Sequence, residues 1–110
     1  MDGAAAPFEV LPEIAKAVGD RVEVILDGGV RRGVHVLKAL ARGAKACSIG
    51  RSYLFGLAAG GEEGVASALR MLRTELVRAM KLSGCTDVEN IDESLVRRSP
   101  EAMGRAENNK

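Results

Sequence analysis

Two short segments combine glycine with arginine in a pattern that suits a phosphate group. The first runs from Val24 to Gly33 and reads Val-Ile-Leu-Asp-Gly-Gly-Val-Arg-Arg-Gly; the second, about one βα unit later, is Ser48-Ile49-Gly50-Arg51. Glycine lets backbone N–H groups approach an anion, and arginine supplies a charged fork of donors. A single Gly-Gly would be weak evidence, because glycine marks any tight turn. Two such strand ends at a βαβ spacing predict a site for a nucleotide or a phosphorylated cofactor.

Hydrophobic periodicity places these segments at the ends of predicted strands. The predicted order is a helix ending at Gly19-Asp20, a strand over Val22–Leu26, a helix over residues 34–41, a strand over Lys45–Ile49 and a helix over Glu62–Ser83. Pro12 is tolerable only near the first turn of its helix. The glycine-broken stretch from Tyr53 to Ala59 is interpreted as a packed turn or a short helix. This order predicts an α/β fold with parallel strands.

The predicted strands are nearly continuous in apolar character, as is typical of strands covered on both faces. Two parallel strands alone leave both sheet edges open and cannot bury two such faces. We therefore expect a sector of a larger (β/α)₈ barrel, about two of its eight units, that is incomplete as a stand-alone fold. Residues 97–110 are interpreted as a frayed polar tail.

Composition excludes several classes of partner. The 110 residues suit one modest domain, and a net charge of +1 gives no global field to attract nucleic acid. Aromatic residues make up 3% with no Trp, which argues against a base-stacking platform. Cys47 and Cys85 match no metal or redox spacing and are interpreted as reduced thiols. We find no signal peptide and no apolar run of membrane-spanning length.

These motifs resemble the FMN-dependent α-hydroxy-acid dehydrogenases and oxidases, which include glycolate oxidase and bacterial L-lactate dehydrogenase. The resemblance runs from Asp2 to about Val96 and is carried by Asp2-Gly3, Val10 to Ile14, Val22 to Gly33, Val36 to Leu40, Gly43-Ala44, Ile49 to Arg51, Gly56 to Ala58 and Gly60 to Glu62. It implies that residues 1–96 form the seventh and eighth βα units, the C-terminal part of the barrel. The stretch from Tyr53 to Gly64 is most similar to the lactate dehydrogenase branch.

The resemblance also implies which residues bind the cofactor. Those expected to hold the FMN phosphate and ribityl chain are Asp27, Gly28, Gly29, Val30, Arg31, Gly50 and Arg51. The two arginines would neutralise the phosphate, and the N–H groups of Gly29 and Gly50 would donate to it. Asp27 would bind a ribityl hydroxyl or orient Arg31. The alternative is that Asp27-Gly28-Gly29 forms only a turn.

Two residues depart from the family pattern. His35, the one histidine of the chain, stands where the family usually has an acidic residue. We interpret it as a solvated residue on a helix face rather than a catalytic base. Ser52 stands where proline or alanine is common, and we expect this change to matter little to the phosphate contact.

The family's catalytic residues match no position of this chain. The resemblance places the histidine base and the substrate-carboxylate arginine in a Ser-Asn-His-Gly-Gly-Arg-Gln segment that precedes Leu-Asp-Gly, whereas this chain begins Met1-Asp2-Gly3. Tyr53 and Arg32 are not substitutes, and Arg32 is expected in a surface or interface salt bridge. We therefore expect no catalytic residue here and no turnover by the chain alone.

The complete enzyme is expected to oxidise an L-2-hydroxy acid, most simply L-lactate, to a 2-oxo acid with FMN. The expected partners are FMN, the hydroxy acid, and either further copies of the chain or the N-terminal part of the barrel. Alternatives are a non-catalytic flavin- or phosphate-binding module and a self-associating fragment. The expected location is cytoplasmic, with peripheral attachment to the inner face of the membrane as the alternative.

Overall fold

Helices and strands alternate along the chain in a computed structural model, which describes residues 3–97 and 99. The elements are α1 (Pro7–Val18), β1 (Ile25–Asp27), α2 (Gly33–Ala41), β2 (Ala46–Ser48), α3 (Arg51–Leu82) and two 3₁₀ helices, Val88–Asn90 and Glu93–Leu95. The predicted α/β class and order of elements are confirmed. The predicted polar tail lies outside the described residues, apart from Arg97 and Ser99.

The two strands pair in parallel, as predicted. Ile25 lies opposite Ala46, Leu26 opposite Cys47, and Asp27 opposite Ser48. Both strands are shorter than predicted, and Val22, which was assigned to the first strand, is 55% exposed outside it. Each strand has only the other as a partner in the described chain, so the ladder extends no further than their mutual register.

Only one face of the two strands is buried in this chain, as expected for two strands alone. Leu26 is 5% exposed, whereas its neighbour Ile25 is 59% exposed. The reason is that α1 contacts β1 and α2 contacts β2, and they cover the face on which Leu26 lies. Ile25 lies on the opposite face, which stays exposed at this residue. The apolar character of the strands therefore exceeds what this chain buries.

The covered face belongs to a small core that reaches into the loop after β1. Leu11 of α1, Leu26 of β1 and Ala39 of α2 are all buried in this cluster. Val30, which follows the Gly-Gly pair, is also buried in it, with 5% exposure. The core thus fixes the middle of the glycine-rich loop as well as the strand that precedes it.

Helix α1 begins at Pro7, five residues before Pro12. Pro7 occupies its first turn, where the fixed φ of proline suits a helix start. Pro12 then lies in the second turn, and the expectation that it would lie near the first turn is wrong. Its missing N–H removes the donor that would otherwise bond the Phe8 carbonyl.

Helix α3 contains a sharp break at two glycines. Gly60 and Gly61 leave helical geometry, and Gly61 has φ +57°, which favours glycine. The two helical segments pack closely where Gly56 meets Gly64: a Cβ added to Gly56 would lie 2.6 Å from the Gly64 carbonyl oxygen. The stretch from Tyr53 to Ala59 is therefore helical, the second of the two predicted options, and the predicted helix from Glu62 is confirmed.

Helix α2 is capped by a side chain of α3. Its N-cap residue Arg32 supplies no capping side chain. The Glu75 carboxylate instead accepts from the Gly33 N–H at 2.8 Å and from Arg32 Nε at 2.9 and 3.0 Å. A negative charge here also suits the positive end of the helix dipole. The predicted surface ion pair of Arg32 is confirmed, with Glu75 as its partner.

The same contacts make Glu75 a pH-sensitive link between the helices. Hydrogen bonds from Arg32 and from the Gly33 N–H hold the pKa of Glu75 below its ordinary value. A lowered pKa in the folded state stabilises the fold above the unfolded-state pKa. That stabilisation is lost as the pH falls through the lower, folded-state pKa.

We predict that Glu75→Gln reduces the acid sensitivity of the fold. The free energy of unfolding, measured by urea titration at pH 7, 5, 4 and 3, should fall less steeply below about pH 4.3, the ordinary glutamate pKa, than in the wild type. Asp92, whose pKa is lowered by hydrogen bonds from Ser94, is present in both proteins, so the difference isolates Glu75.

The matched control is Glu63→Gln on the same helix. Glu63 pairs with Arg70, and both side chains are largely exposed, so its loss should change stability little. An acid profile of Glu75→Gln as steep as that of the wild type would contradict the role given to Glu75.

Candidate functional site

The residues predicted to bind the cofactor lie together at the carboxyl ends of β1 and β2. They line one small cavity of about 130 Å³, whose lining is Asp27, Gly28, Gly29, Val30, Arg31, Ser48, Gly50, Arg51 and Ser52. The cavity exists because parallel strands in register release both following loops at the same sheet edge. Ser48 and Ser52 join the predicted set, and only their position beside the two glycine–arginine motifs hinted at this.

Backbone conformation explains the paired glycines. Gly28 and Gly29 have φ values of +112° and +71°, in the region that side chains rarely adopt. A Cβ added to Gly29 or to Gly50 would meet no atom within 4 Å, so the space in front of both residues is open. An anion can therefore approach the backbone N–H groups at both strand ends.

Side chains from α2 and α3 hold the loop after β1. The Ser52 hydroxyl donates to the Val30 carbonyl at 3.0 Å, and the Arg31 N–H donates to His35 Nδ1 at 3.2 Å. With the bonds from Arg32 and Gly33 to Glu75, these contacts fix the loop from Val30 onward. The loop is a braced element rather than a free turn.

His35 therefore differs from what the sequence suggested, and Ser52 makes a contact that the sequence did not indicate. His35 is half-buried, not a solvated side chain on a helix face, because its ring turns back to accept the Arg31 N–H. Ser52 is half-buried too and bonds the loop directly. Neither contact is visible in a sequence pattern, since each depends on where a neighbouring loop lies.

The lining of the cavity has a net positive charge, because Arg31 and Arg51 carry two positive charges against the single negative charge of Asp27. Arg31 and Arg51 both line it and are exposed. Among residues 3–97, neither guanidinium forms an ion pair, whereas Arg21, Arg32 and Arg70 each do. No hydrogen bond or ion pair joins Asp27 to Arg31 among residues 3–97, and the orienting role of Asp27 stays a prediction. Two unpaired cations beside open N–H groups favour an anionic ligand.

A larger cavity adjoins the small one. It has a volume of about 780 Å³ and shares Gly28, Gly29, Val30 and Arg51 with the first. Phe8 and Leu26 give it an apolar wall. The small cavity thus suits a compact anion, and the larger one offers space for the remainder of a ligand.

Other chemistries have less support in the described residues. No three His, Cys, Asp or Glu side chains converge there as a metal centre requires. Burial raises the pKa of the Cys47 thiol, which disfavours the nucleophilic thiolate. No described helix has the length and apolar character needed to cross a bilayer.

Comparison with curated proteins finds close relatives. The chain is 53% identical over 105 residues to 2-hydroxyacid oxidase 1 of Mus musculus, covering 96% of this chain and 28% of that protein. It is 50% identical over 97 residues to L-lactate oxidase of Lactobacillus jensenii, covering 88% of this chain and 24% of that protein. The chain therefore spans about a quarter of the length of these relatives.

Solved structures agree with this result. A soluble mutant of the membrane-associated (S)-mandelate dehydrogenase from Pseudomonas putida superimposes with a TM-score of 0.85 at 37% identity, covering 90% of this chain and 28% of that one. A flavocytochrome b2 mutant gives a TM-score of 0.80 at 39% identity over 86% of this chain and 25% of that one. The α/β piece is consistent with part of a barrel.

The model of the FMN-dependent dehydrogenase family matches residues 1–98, which is nearly all of the described chain. Its members use FMN, a cofactor that ends in a phosphate group, and the glycine–arginine cavity has the donors and charge that such a group requires. On the match to this family model, supported by the curated relatives and the solved structures, this chain belongs to the FMN-dependent dehydrogenase family.

Proposed function

We propose that this chain binds the phosphate end of FMN in an enzyme that oxidises 2-hydroxy acids. One observation carries the proposal: two arginines without acidic partners in the described chain meet two open glycine backbones in a single small cavity. A phosphate dianion is the ligand that uses all of these groups at once.

Each group has a distinct part in the proposed site. The N–H groups of Gly29 and Gly50 donate to phosphate oxygens, while Arg31 and Arg51 neutralise their charge. Asp27 repels an anion, so its carboxylate accepts from a ribityl hydroxyl instead. The larger adjoining cavity, lined in part by Gly28 and Val30, provides the space in which the ribityl chain extends from the phosphate.

We further propose that residues 1–96 form the seventh and eighth βα units of a (β/α)₈ barrel. Phosphate sites of such barrels commonly follow the last two strands, which agrees with the position of this cavity. The exposure of Ile25 supports the same arrangement, because another part of a barrel would cover that face. The partner that completes the core is the preceding part of the barrel or another copy of the chain.

The proposed reaction of the whole enzyme is oxidation of an L-2-hydroxy acid to a 2-oxo acid. When bound, FMN supplies the acceptor for the hydride equivalent. L-lactate is the proposed substrate, supported by the resemblance of the segment from Tyr53 to Gly64 and by the names of the L-lactate oxidases among the relatives. The proposed location is cytoplasmic, with peripheral membrane attachment as the alternative that the mandelate dehydrogenase suggests.

This segment contributes cofactor binding and not acid–base chemistry. The chain has one histidine, His35, and its Nδ1 already accepts the Arg31 N–H. His35 is therefore placed to hold the loop after β1 beside the small cavity. We therefore propose that the proton-accepting base and the substrate-carboxylate arginine lie outside this chain.

The phosphate role predicts a selective loss of FMN affinity. Arg31→Gln and Arg51→Gln should each raise the dissociation constant for FMN by about ten- to a hundredfold, the range for a lost charge-assisted hydrogen bond. Affinity for riboflavin, which lacks the phosphate, should stay unchanged. Quenching of flavin fluorescence measures both.

Arg32→Gln is the matched control, because it removes a neighbouring charge that is paired with Glu75 and does not line the small cavity. It tests whether a general loss of positive field explains the effect. Equal binding of FMN and riboflavin by the wild type, or equal weakening by Arg31→Gln and Arg32→Gln, would contradict the proposal.

Turnover tests the proposed division of labour. The chain alone, supplied with FMN, L-lactate and a dye acceptor, should give no reduction of the dye above the rate of free FMN. Retention of FMN without turnover is the expected result. Turnover at the rate of a complete L-lactate oxidase would show that the acid–base groups lie within these residues.

A further inference from the structure

Ser52 occupies the first turn of α3, directly after Arg51, and reaches across to the other loop of the cavity. Its hydroxyl donates to the backbone carbonyl of Val30 at 3.0 Å. Val30 lies directly before Arg31 and Ser52 directly after Arg51, so the bond joins residues next to both arginines of the cavity. Through this bond, a side chain at the start of α3 holds the backbone of the loop that follows β1.

The geometry of the loop gives this bond an effect beyond local packing. Gly28 and Gly29, which precede Val30, are the residues with the least steric restriction on their backbone. The side chain of Val30 is buried, so the residue is anchored on its apolar side. The Ser52 bond adds a polar anchor from the opposite strand end, which limits rotation of the peptide that leads into Arg31.

Ser52 also lines the small cavity, called the anion cavity from here on, which raises the alternative that it binds the phosphate itself. A serine hydroxyl has one proton to donate. In this structure that proton goes to the Val30 carbonyl. The remaining lone pairs of the oxygen offer a phosphate dianion no favourable contact. Ser52 is thus suited to hold the loop rather than to touch the ligand.

We propose that Ser52 is a positioning residue for the anion site: its hydroxyl ties the loop after β1 to the start of α3 and sets the spacing of Arg31 and Arg51. The inference rests on the proposed phosphate-binding function and deepens it. Proline or alanine is common at this position in the related pattern, and neither side chain can donate such a bond.

The test compares Ser52→Ala with Ser52→Thr and a control, Ser67→Ala, in the full 110-residue chain. Ser67 is exposed on α3 and does not line the anion cavity. Ser52→Ala should raise the dissociation constant for FMN about fivefold, as expected for one neutral hydrogen bond, and leave riboflavin affinity unchanged. Ser52→Thr keeps the hydroxyl and should stay within about twofold of the wild type, as should Ser67→Ala.

The ratio of FMN to riboflavin affinity separates positioning from general loosening, because a purely structural defect weakens both flavins equally. If the wild type prefers FMN to riboflavin and Ser52→Ala keeps that preference in full, the proposed positioning role of Ser52 is wrong, whereas the proposed phosphate site is unaffected. Failure of Ser52→Thr to restore FMN affinity would also overturn it. If the wild type does not distinguish the two flavins, the proposed function itself is wrong, and this inference with it.

Discussion

The parallel pairing of β1 with β2 is the constraint on which the rest of the site depends. Because Asp27 lies opposite Ser48, both strands end at the same level and release their loops side by side. The glycine–arginine motifs, separated by about a βα unit in sequence, then face a common cavity. A shift in this register would separate Arg31 from Arg51 and remove the cavity, whatever the composition of the two loops.

A second layer of contacts gives the loop its shape. The strand register brings the two ends together, but the residues after Gly29 are fixed by groups from elsewhere: the hydroxyl of Ser52, the ring of His35 and the carboxylate of Glu75. Each occupies a backbone donor or acceptor of the loop or of the α2 start. These polar groups would otherwise need water or a ligand. The arginines are thereby left free of internal partners in the described chain.

The sequence was informative about the site because glycine and arginine act through short-range properties. The conformational freedom of Gly28 and Gly29 and the charged fork of Arg31 are properties of the residues themselves and can be read from the sequence. The contacts of His35 and Ser52 were not predictable in this way. Each of these hydrogen bonds forms because the fold brings a backbone group close to the side chain. The residue type alone does not predict such a contact.

The fold shows the same division. Hydrophobic periodicity located α1, α2 and the long second part of α3, because each of them packs apolar side chains against a core cluster. It overestimated the length of the first strand, since Val22 lies outside β1. Val22 and Ile25 are apolar yet exposed in this chain. The proposed arrangement, in which this chain forms part of a larger barrel, would cover these residues.

The claim that the two strand ends jointly bind a phosphate is tested most directly by NMR of the ¹⁵N-labelled chain titrated with FMN. The account predicts that the largest changes in amide chemical shift occur at Gly29 and Gly50, with the neighbouring arginine amides changing in parallel. Saturable changes centred elsewhere, such as on the exposed face of β1 around Ile25, with the amides of Gly29 and Gly50 unchanged, would contradict it.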